Sequence, residues 1–91
     1  MILKIGGIDF DNVLYDREAD VLYAQVGENR AATDFDASPE GHYLRYDDNG
    51  VLFGITIVNA RYILEREGKV VITLPERQVE ATDLGDVLAA A

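Results

Sequence analysis

Cysteine and tryptophan are absent from this sequence, histidine and methionine occur once each, and proline occurs twice. Without cysteine there is no disulfide framework, no thiolate zinc or iron–sulfur site and no thiol nucleophile. His42 is the single imidazole, so one chain cannot build a histidine metal cluster or a paired-histidine site. Basic residues are also scarce: 8 Lys and Arg stand against 17 Asp and Glu, for a formal charge of −9. Binding to nucleic-acid phosphates or to an anionic membrane surface rests on Lys and Arg, so this balance argues against both partners. No apolar run approaches the roughly 18 residues of a membrane span. Residues 1–10 carry one Lys and a short apolar stretch broken by Gly6-Gly7, with no small-residue cleavage site, and do not read as a signal peptide. The expected location is the cytoplasm, and no cofactor is expected.

What is present is a pattern of short strands punctuated by turns. At 91 residues the chain is expected to form a single domain, with a β core over 10–60 and an extension over 61–91 that adds a strand and a C-terminal helix. A chain this short buries only about 60–65% of the surface that its unfolded form exposes, which leaves little for a deep catalytic cavity. Residues 10–15 and 20–26 are rich in β-branched and aromatic types and flank Asp16-Arg17-Glu18-Ala19. A loop over 16–19 pairs Leu14 with Val21 and Val13 with Leu22, and the two-sided apolar character places both strands inside the sheet. Residues 27–41 have loop composition, with a short strand near 31–35 and a turn at Ser38-Pro39-Glu40-Gly41. Asn49-Gly50 is a type I′ hairpin signal, and as a two-residue loop it sets Tyr46 against Phe53, Leu44 against Ile55 and Arg45 against Gly54. The missing side chain of Gly54 leaves room there for the guanidinium stem. Residues 59–68 fit a helix with Asn59 as N-cap and Gly68 as its stop, or a continued strand. A strand over 69–74 closes at Pro75, and Leu84, Val87 and Leu88 give a short C-terminal helix with Asp83 and Asp86 at capping-box spacing.

Two motifs in order, Tyr15-Asp16-Arg17-Glu18-Ala19-Asp20-Val21-Leu22-Tyr23 and the run from Tyr46-Asp47-Asp48-Asn49-Gly50 through Gly54-Ile55-Thr56 to Asn59-Ala60, carry a family resemblance. Together they resemble the prokaryotic domain of unknown function numbered 2283, over roughly residues 10–60. The chain departs from that pattern at Thr56, where Glu is usual, and at Arg17, where Pro is common. The resemblance implies a small β-rich fold and carries no reaction and no catalytic residues. It also implies an alternative role as an acidic, antitoxin-like partner of a small basic protein.

Candidate chemistry is sparse. Asp16, Glu18 and Asp20 place three carboxylates in one turn, which suits a hard divalent cation, while the plainer use is a turn with Asp16 bonded to backbone and Asp20 opening the next strand. Asp47-Asp48-Asn49-Gly50 lacks the order of a calcium-binding loop and its distal Glu, since Thr56 stands there. Ser38 and His42 form at most a dyad without an orienting third group, and His42 is expected on the surface beside a loop. No phosphate-binding glycine motif occurs; Gly6-Gly7 marks a bend. The eight Tyr and Phe residues suit packing and interfaces better than nucleic-acid stacking in a chain of this charge. The sequence therefore points to an α+β protein: a small antiparallel sheet of hairpins with one or two short helices, one of them C-terminal. The expected function is a non-enzymatic, self-associating or protein-binding module that forms a homodimer through the face or edge of its sheet.

Overall fold

The computed structural model describes residues 2–28, 31, 34–82 and 84–90. Leu3–Ile5 (β1) and Ile8–Phe10 (β2) pair as a hairpin across Gly6-Gly7, whose φ angles are 60° and 82°. Two positive φ values in a two-residue loop make the turn whose twist matches that of the strands it joins. A Cβ on Gly6 would lie 2.6 Å from Val79 Cγ1, so glycine is required there on steric grounds as well. The glycine pair is thus a hairpin turn and not merely a bend, and this first hairpin was not expected.

Asp11 separates β2 from the main sheet. That sheet comprises Asn12–Asp16 (β3), Val21–Gln25 (β4), Asp34–Ala37 (β5), Tyr43–Tyr46 (β6) and Leu52–Val58 (β7), in the spatial order β3-β4-β7-β6-β5, with every pair antiparallel. Ala60–Glu67 (α1) follows, then the hairpin of Val70–Thr73 (β8) and Gln78–Ala81 (β9), then Gly85–Ala90 (α2). The class is α+β. Among the described residues no helix is long and apolar enough to cross a membrane.

Alternation explains which side of the sheet is covered. Tyr15, Leu22, Ala24, Leu44, Ile55 and Ile57 point to one face and are buried. They meet Leu3, Ile5 and Phe10 of the first hairpin, Val70, Ile72, Val79 and Ala81 of the last, and Ala60, Leu84, Val87 and Leu88 from the two helical segments. One core thus joins the family-like region to the extension. A polar link reinforces it. Glu40, in the turn between β5 and β6, accepts the Thr73 backbone N–H through one carboxylate oxygen at 2.9 Å and the Thr73 hydroxyl through the other.

Several local expectations are corrected. The β3–β4 loop is 17–20, so Leu14 opposes Tyr23 and Val13 opposes Ala24, two residues further along β4 than expected. Asp20 makes the difference by adopting φ 56°, a conformation that Asp tolerates and that ends the turn one residue later. Strand β3 is an edge strand, not an interior one. In the β6–β7 hairpin Leu44 opposes Ile55 and Arg45 opposes Gly54 as expected, but Tyr46 opposes Leu52 and not Phe53. Gly50 is at φ 76°, whereas Asn49 is not left-handed; the Gly50 N–H bonds Asp47 O at 3.0 Å. That is a type I turn followed by a left-handed glycine, which adds a residue to the loop and shifts the register through a bulge. Asp47 favours it by accepting the N–H groups of Asn49 and Val51.

Residues 60–67 are helix and not strand, and Gly68 stops the helix at φ 76° with its N–H on Leu64 O. Asn59 is left-handed and gives no side-chain cap. Strand β9 was not expected, because it lies in the polar stretch after Pro75. The short strand anticipated at 31–35 begins at Asp34, and Ala32 and Thr33 lie outside the described residues. The C-terminal helix is present, with Leu88 N–H on Leu84 O at 3.0 Å. Asp83, half of the anticipated capping pair, is outside the described residues.

Burial on its own would raise the Glu40 pKa, but its bonds to Thr73 outweigh that and hold it below the ordinary carboxylate range. A carboxylate whose pKa falls on folding stabilises the protein above its unfolded value, and this contribution is lost as pH drops. Glu40→Ala is therefore expected to destabilise by about 1 kcal/mol at neutral pH, or about 4–8 °C in Tm. In thermal melts against pH, the gap to the parent should narrow as pH falls below the ordinary Glu value of 4.5.

Candidate functional site

Among the described residues, none forms a layer over the side of the main sheet opposite the core. Strand register arranges its side chains in two rows that each cross all five strands. One row runs Leu14, Tyr23, Thr56, Tyr43, Ala37, and the other runs Asn12, Gln25, Gly54, Arg45, Phe35. At about 4.8 Å between strands, each row is about 19 Å long. Leu14, Phe35 and Tyr43 are 65%, 68% and 54% exposed, and Tyr23 is 40% exposed. Scattered exposed apolar residues need no explanation, but a continuous row of them does. Arg45 is the sole charge in the two rows, in a chain where nearly one residue in five is acidic.

Arg45 is held in place by its surroundings. Its guanidinium lies over Gly54, where a Cβ would approach Nε, Nη2 and Cζ to 2.7, 2.8 and 2.9 Å. It also stands 5.8 Å from the centre of the buried Phe53 ring, a cation–π separation. The Nε atom is buried and has no hydrogen-bond partner among the described residues. Beside it, Asn12, Leu14, Tyr23, Gln25 and Arg45 line a shallow depression of about 180 Å³. The amide nitrogens of Asn12 and Gln25 both donate to Gly27 O, at 3.4 and 3.0 Å, so their oxygens are the acceptors left for other groups.

The free edge of β5 is differently protected. The Phe35 and Ala37 N–H groups donate to the carboxylates of Asp34 and Asp36, each at 2.9 Å. An added strand would have to displace both carboxylates, which is how natural sheets discourage edge pairing. At the other edge, α2 packs against β3. A larger open cleft of about 480 Å³ lies elsewhere, between β2, the start of β7 and the β8–β9 turn. Its walls are mainly apolar (Ile8, Val26, Leu52, Phe53, Leu74), with Glu76 and Arg77 as its charged residues, and Arg77 Nη2 donates to Gly6 O.

The three acidic candidates of the 16–20 turn have separate structural positions. Asp16 Oδ1 accepts the N–H groups of Glu18 and Ala19 at 3.1 and 3.2 Å, and Glu18 is exposed. Asp20 turns the other way. Its Oδ1 accepts the Tyr15 hydroxyl at 2.7 Å and Arg61 N–H at 2.8 Å, its Oδ2 accepts Tyr62 N–H at 3.1 Å, and its carbonyl accepts Ala60 N–H. Asp20 therefore caps α1 from forty residues away, the task that Asn59 does not perform. Among the described residues no three His, Cys, Asp or Glu side chains gather as metal ligands.

Ser38 and His42 are not surface residues: they are 5% and 1% exposed. The expectation of an exposed histidine fails because the imidazole replaces a missing ladder acceptor, with Nδ1 taking the Val58 N–H at 3.1 Å. Ser38 Oγ accepts the His42 backbone N–H at 3.1 Å, so the anticipated pair is joined through backbone and not through hydroxyl and ring. The open face itself was missed at this level of detail. Its signal is the alternation of Leu14 and Asp16, and of Val21 and Tyr23, with core residues, a pattern that two-sided burial also fits.

Two outcomes follow. Burial lowers the His42 pKa against the opposing pull of Glu40, keeping Nδ1 an acceptor. A histidine whose pKa falls on folding leaves stability intact above its unfolded value and removes it as pH drops, because the unfolded chain binds the proton more readily. Urea-unfolding stability should therefore decline below pH 6.5, and His42→Gln, which retains an acceptor, should flatten that decline. Asp20 behaves as a cap: burial would raise its pKa, but Tyr15 and the Arg61 and Tyr62 amides, together with the Arg61 charge, hold it low. Asp20→Ala should cost about 2–4 kcal/mol by the same measurement, since it leaves the helix N–H groups and a buried tyrosine hydroxyl without an acceptor, whereas Asp20→Asn should cost less.

Searches of characterised proteins and of solved structures find no match to the chain. A family model described as protein of unknown function (DUF2283) matches residues 12–61, which take in the entire five-stranded sheet and the first two residues of its capped helix. That span is more than half of the sequence and includes Asp20, the Arg45–Gly54 pair and both rows of the open face, and on that match the chain belongs to the DUF2283 family.

Proposed function

We propose that this protein is a non-enzymatic, self-associating module whose contact surface is the open face of the five-stranded sheet. The observation that carries the reading is the composition of that face: its two central rows hold four large exposed apolar residues and no acid, with Asp16 in the flanking row, on a chain of charge −9. Two copies of an acidic protein repel each other, and they do so least where their acids are absent. The β5 edge favours the same route, since Asp34 and Asp36 occupy its outward N–H groups. The polar groups near the face also fit binding better than reaction. His42 and Ser38 are on the covered side and engaged with backbone, and Asp20 is engaged as a cap.

A face about 19 Å wide lies at the small end of specific protein interfaces, which implies a dimer of moderate affinity. Light scattering coupled to size exclusion, at chain concentrations up to about 0.5 mM, well above a micromolar dissociation constant, should give the mass of two chains. Because the contact is largely apolar, added salt should preserve or strengthen it. Tyr23→Lys and Tyr43→Lys, at exposed positions, should leave the circular dichroism spectrum intact and shift the mass to one chain. A monomer at every concentration and salt level would refute the reading.

A further inference from the structure

We propose that Asn49 is a covalent modification site: its side-chain amide is lost through attack by the Gly50 backbone nitrogen, at a rate that the Asp47 carboxylate sets by holding the turn closed. The product is aspartate or isoaspartate at position 49, and the reaction is independent of self-association.

The chain has four asparagines, and their neighbours separate them. Asn12, Asn29 and Asn59 precede Val13, Arg30 and Ala60, whereas Asn49 precedes a glycine, whose missing side chain leaves the backbone nitrogen uncrowded. Asn49 and Gly50 are both exposed, and nothing lies within 4 Å of the place a Gly50 Cβ would occupy. The Asn49 carboxamide makes no hydrogen bond to a described residue. Asn12 lies in β3, and the N–H after Asn59 is held by Asp20 O at 3.1 Å.

The chemistry needs only water and a base. The Gly50 nitrogen gives its proton to hydroxide or buffer and bonds to Asn49 Cγ. The bond from Cγ to Nδ2 then breaks, and Nδ2 leaves as ammonia after taking up a proton. Water opens the resulting five-membered imide at either carbonyl. One opening gives aspartate, and the other gives isoaspartate, in which the main chain runs through the former side chain. One water is consumed, one ammonia is released, and nothing is oxidised or reduced.

The fold acts as the brake. The nitrogen that must lose its proton donates it to Asp47 O at 3.0 Å. Asp47 Oδ1 accepts the Asn49 and Val51 N–H groups at 2.9 and 3.0 Å, which fixes the backbone on both sides of the reacting pair. Cyclisation therefore proceeds through openings of this turn. No core residue lies in 47–50, so such openings leave the rest of the chain folded. The loop then changes in two ways. Its new carboxylate takes the formal charge from −9 to −10, and isoaspartate adds a backbone carbon where loop length sets the β6–β7 register.

The test follows residue 49 over time at neutral pH. The folded chain, D47A, D47S and a synthetic peptide of residues 45–54 are sampled in parallel and digested in acid, where the amide nitrogen keeps its proton. Mass spectrometry then reads the conversion of amide to acid at each asparagine, and circular dichroism confirms the fold. Asn49 should convert in the folded chain while Asn12 and Asn59 stay intact, at least about tenfold more slowly than in the peptide. D47A, which lacks the acceptor for two N–H groups, should convert at least about threefold faster than the unsubstituted chain. D47S, whose hydroxyl accepts the same amides more weakly, should fall between them. An Asn49 that stays intact in the folded chain while the peptide converts would overturn the site. A folded chain as fast as the peptide, or D47A and D47S both at the unsubstituted rate, would overturn the role of Asp47.

Discussion

A five-stranded antiparallel sheet presents two broad faces, and 91 residues supply covering for one of them. Two short hairpins and two helices of eight and six residues make up that cover. Their apolar side chains meet Leu22, Ala24, Leu44, Ile55 and Ile57, and none of the described elements covers the opposite side. Small chains bury a small fraction of their surface, and here the shortfall is concentrated on one face. The exposed Leu14, Tyr23, Tyr43 and Phe35 are the direct result. On this constraint depend the placement of charge, the treatment of the edges and the proposed assembly.

Helix α1 cannot hold itself in the covering layer. It has eight residues, no acidic residue in its first turn and a left-handed Asn59 in front of it that gives no side-chain bond. Isolated helices of this length are marginal in water. Asp20 supplies what is missing, with its carboxylate on the first free amides of α1 and on the Tyr15 hydroxyl. Arg61 extends the tie by donating to Leu88 O, while its guanidinium stands 5.8 Å from the Tyr15 ring. The β3–β4 hairpin, α1 and α2 are thereby fixed to one another through two polar side chains. This gives a physical reason for the aspartate at position 20 of the first motif that involves no metal.

How much of this was legible in the sequence depended on the range of each interaction. The β6–β7 hairpin was readable, including Arg45 over Gly54, because turn signal and apolar pairing lie within a dozen residues. Its exact turn was not, since Asn49-Gly50 fits both the two-residue loop and the type I turn with a left-handed glycine; the choice falls to the Asp47 side chain, which accepts two amides. Asn59 reads as a cap by position, and only the folded chain brings Asp20 close enough to replace it. His42 reads as exposed by its polar neighbours, although Val58, sixteen residues away, is what draws its ring inside. Tyr15, Tyr23 and Leu14 show that the strands alternate, but alternation does not say which face gains a covering layer. Strand β9 was hidden for a related reason: Gln78 and Glu80 are its outward residues, and its two buried members, Val79 and Ala81, are too few to signal a strand.

An uncovered face is a hazard to any small protein unless something controls what binds to it. Edge pairing of sheets needs only backbone groups and is open-ended, whereas face packing about a two-fold axis needs matching side chains and closes after two copies. In this chain the first route is obstructed by Asp34 and Asp36, whose carboxylates hold the Phe35 and Ala37 amides. The second is left clear by the absence of acids from both rows. Under the proposed assembly the −9 charge acts in the same direction, because it opposes an approach of two copies least where the two acid-free rows meet, with Asp16 at their flank. Arg45 fits that arrangement as a single cation whose charge the Phe53 ring partly satisfies within the chain. Replacing it by an acid would put like charge where the face is otherwise neutral, whereas a lysine would keep the charge and lose the planar stack over Gly54. Under the proposed assembly, the distribution of charge selects one mode of contact and is more than a general aid to solubility.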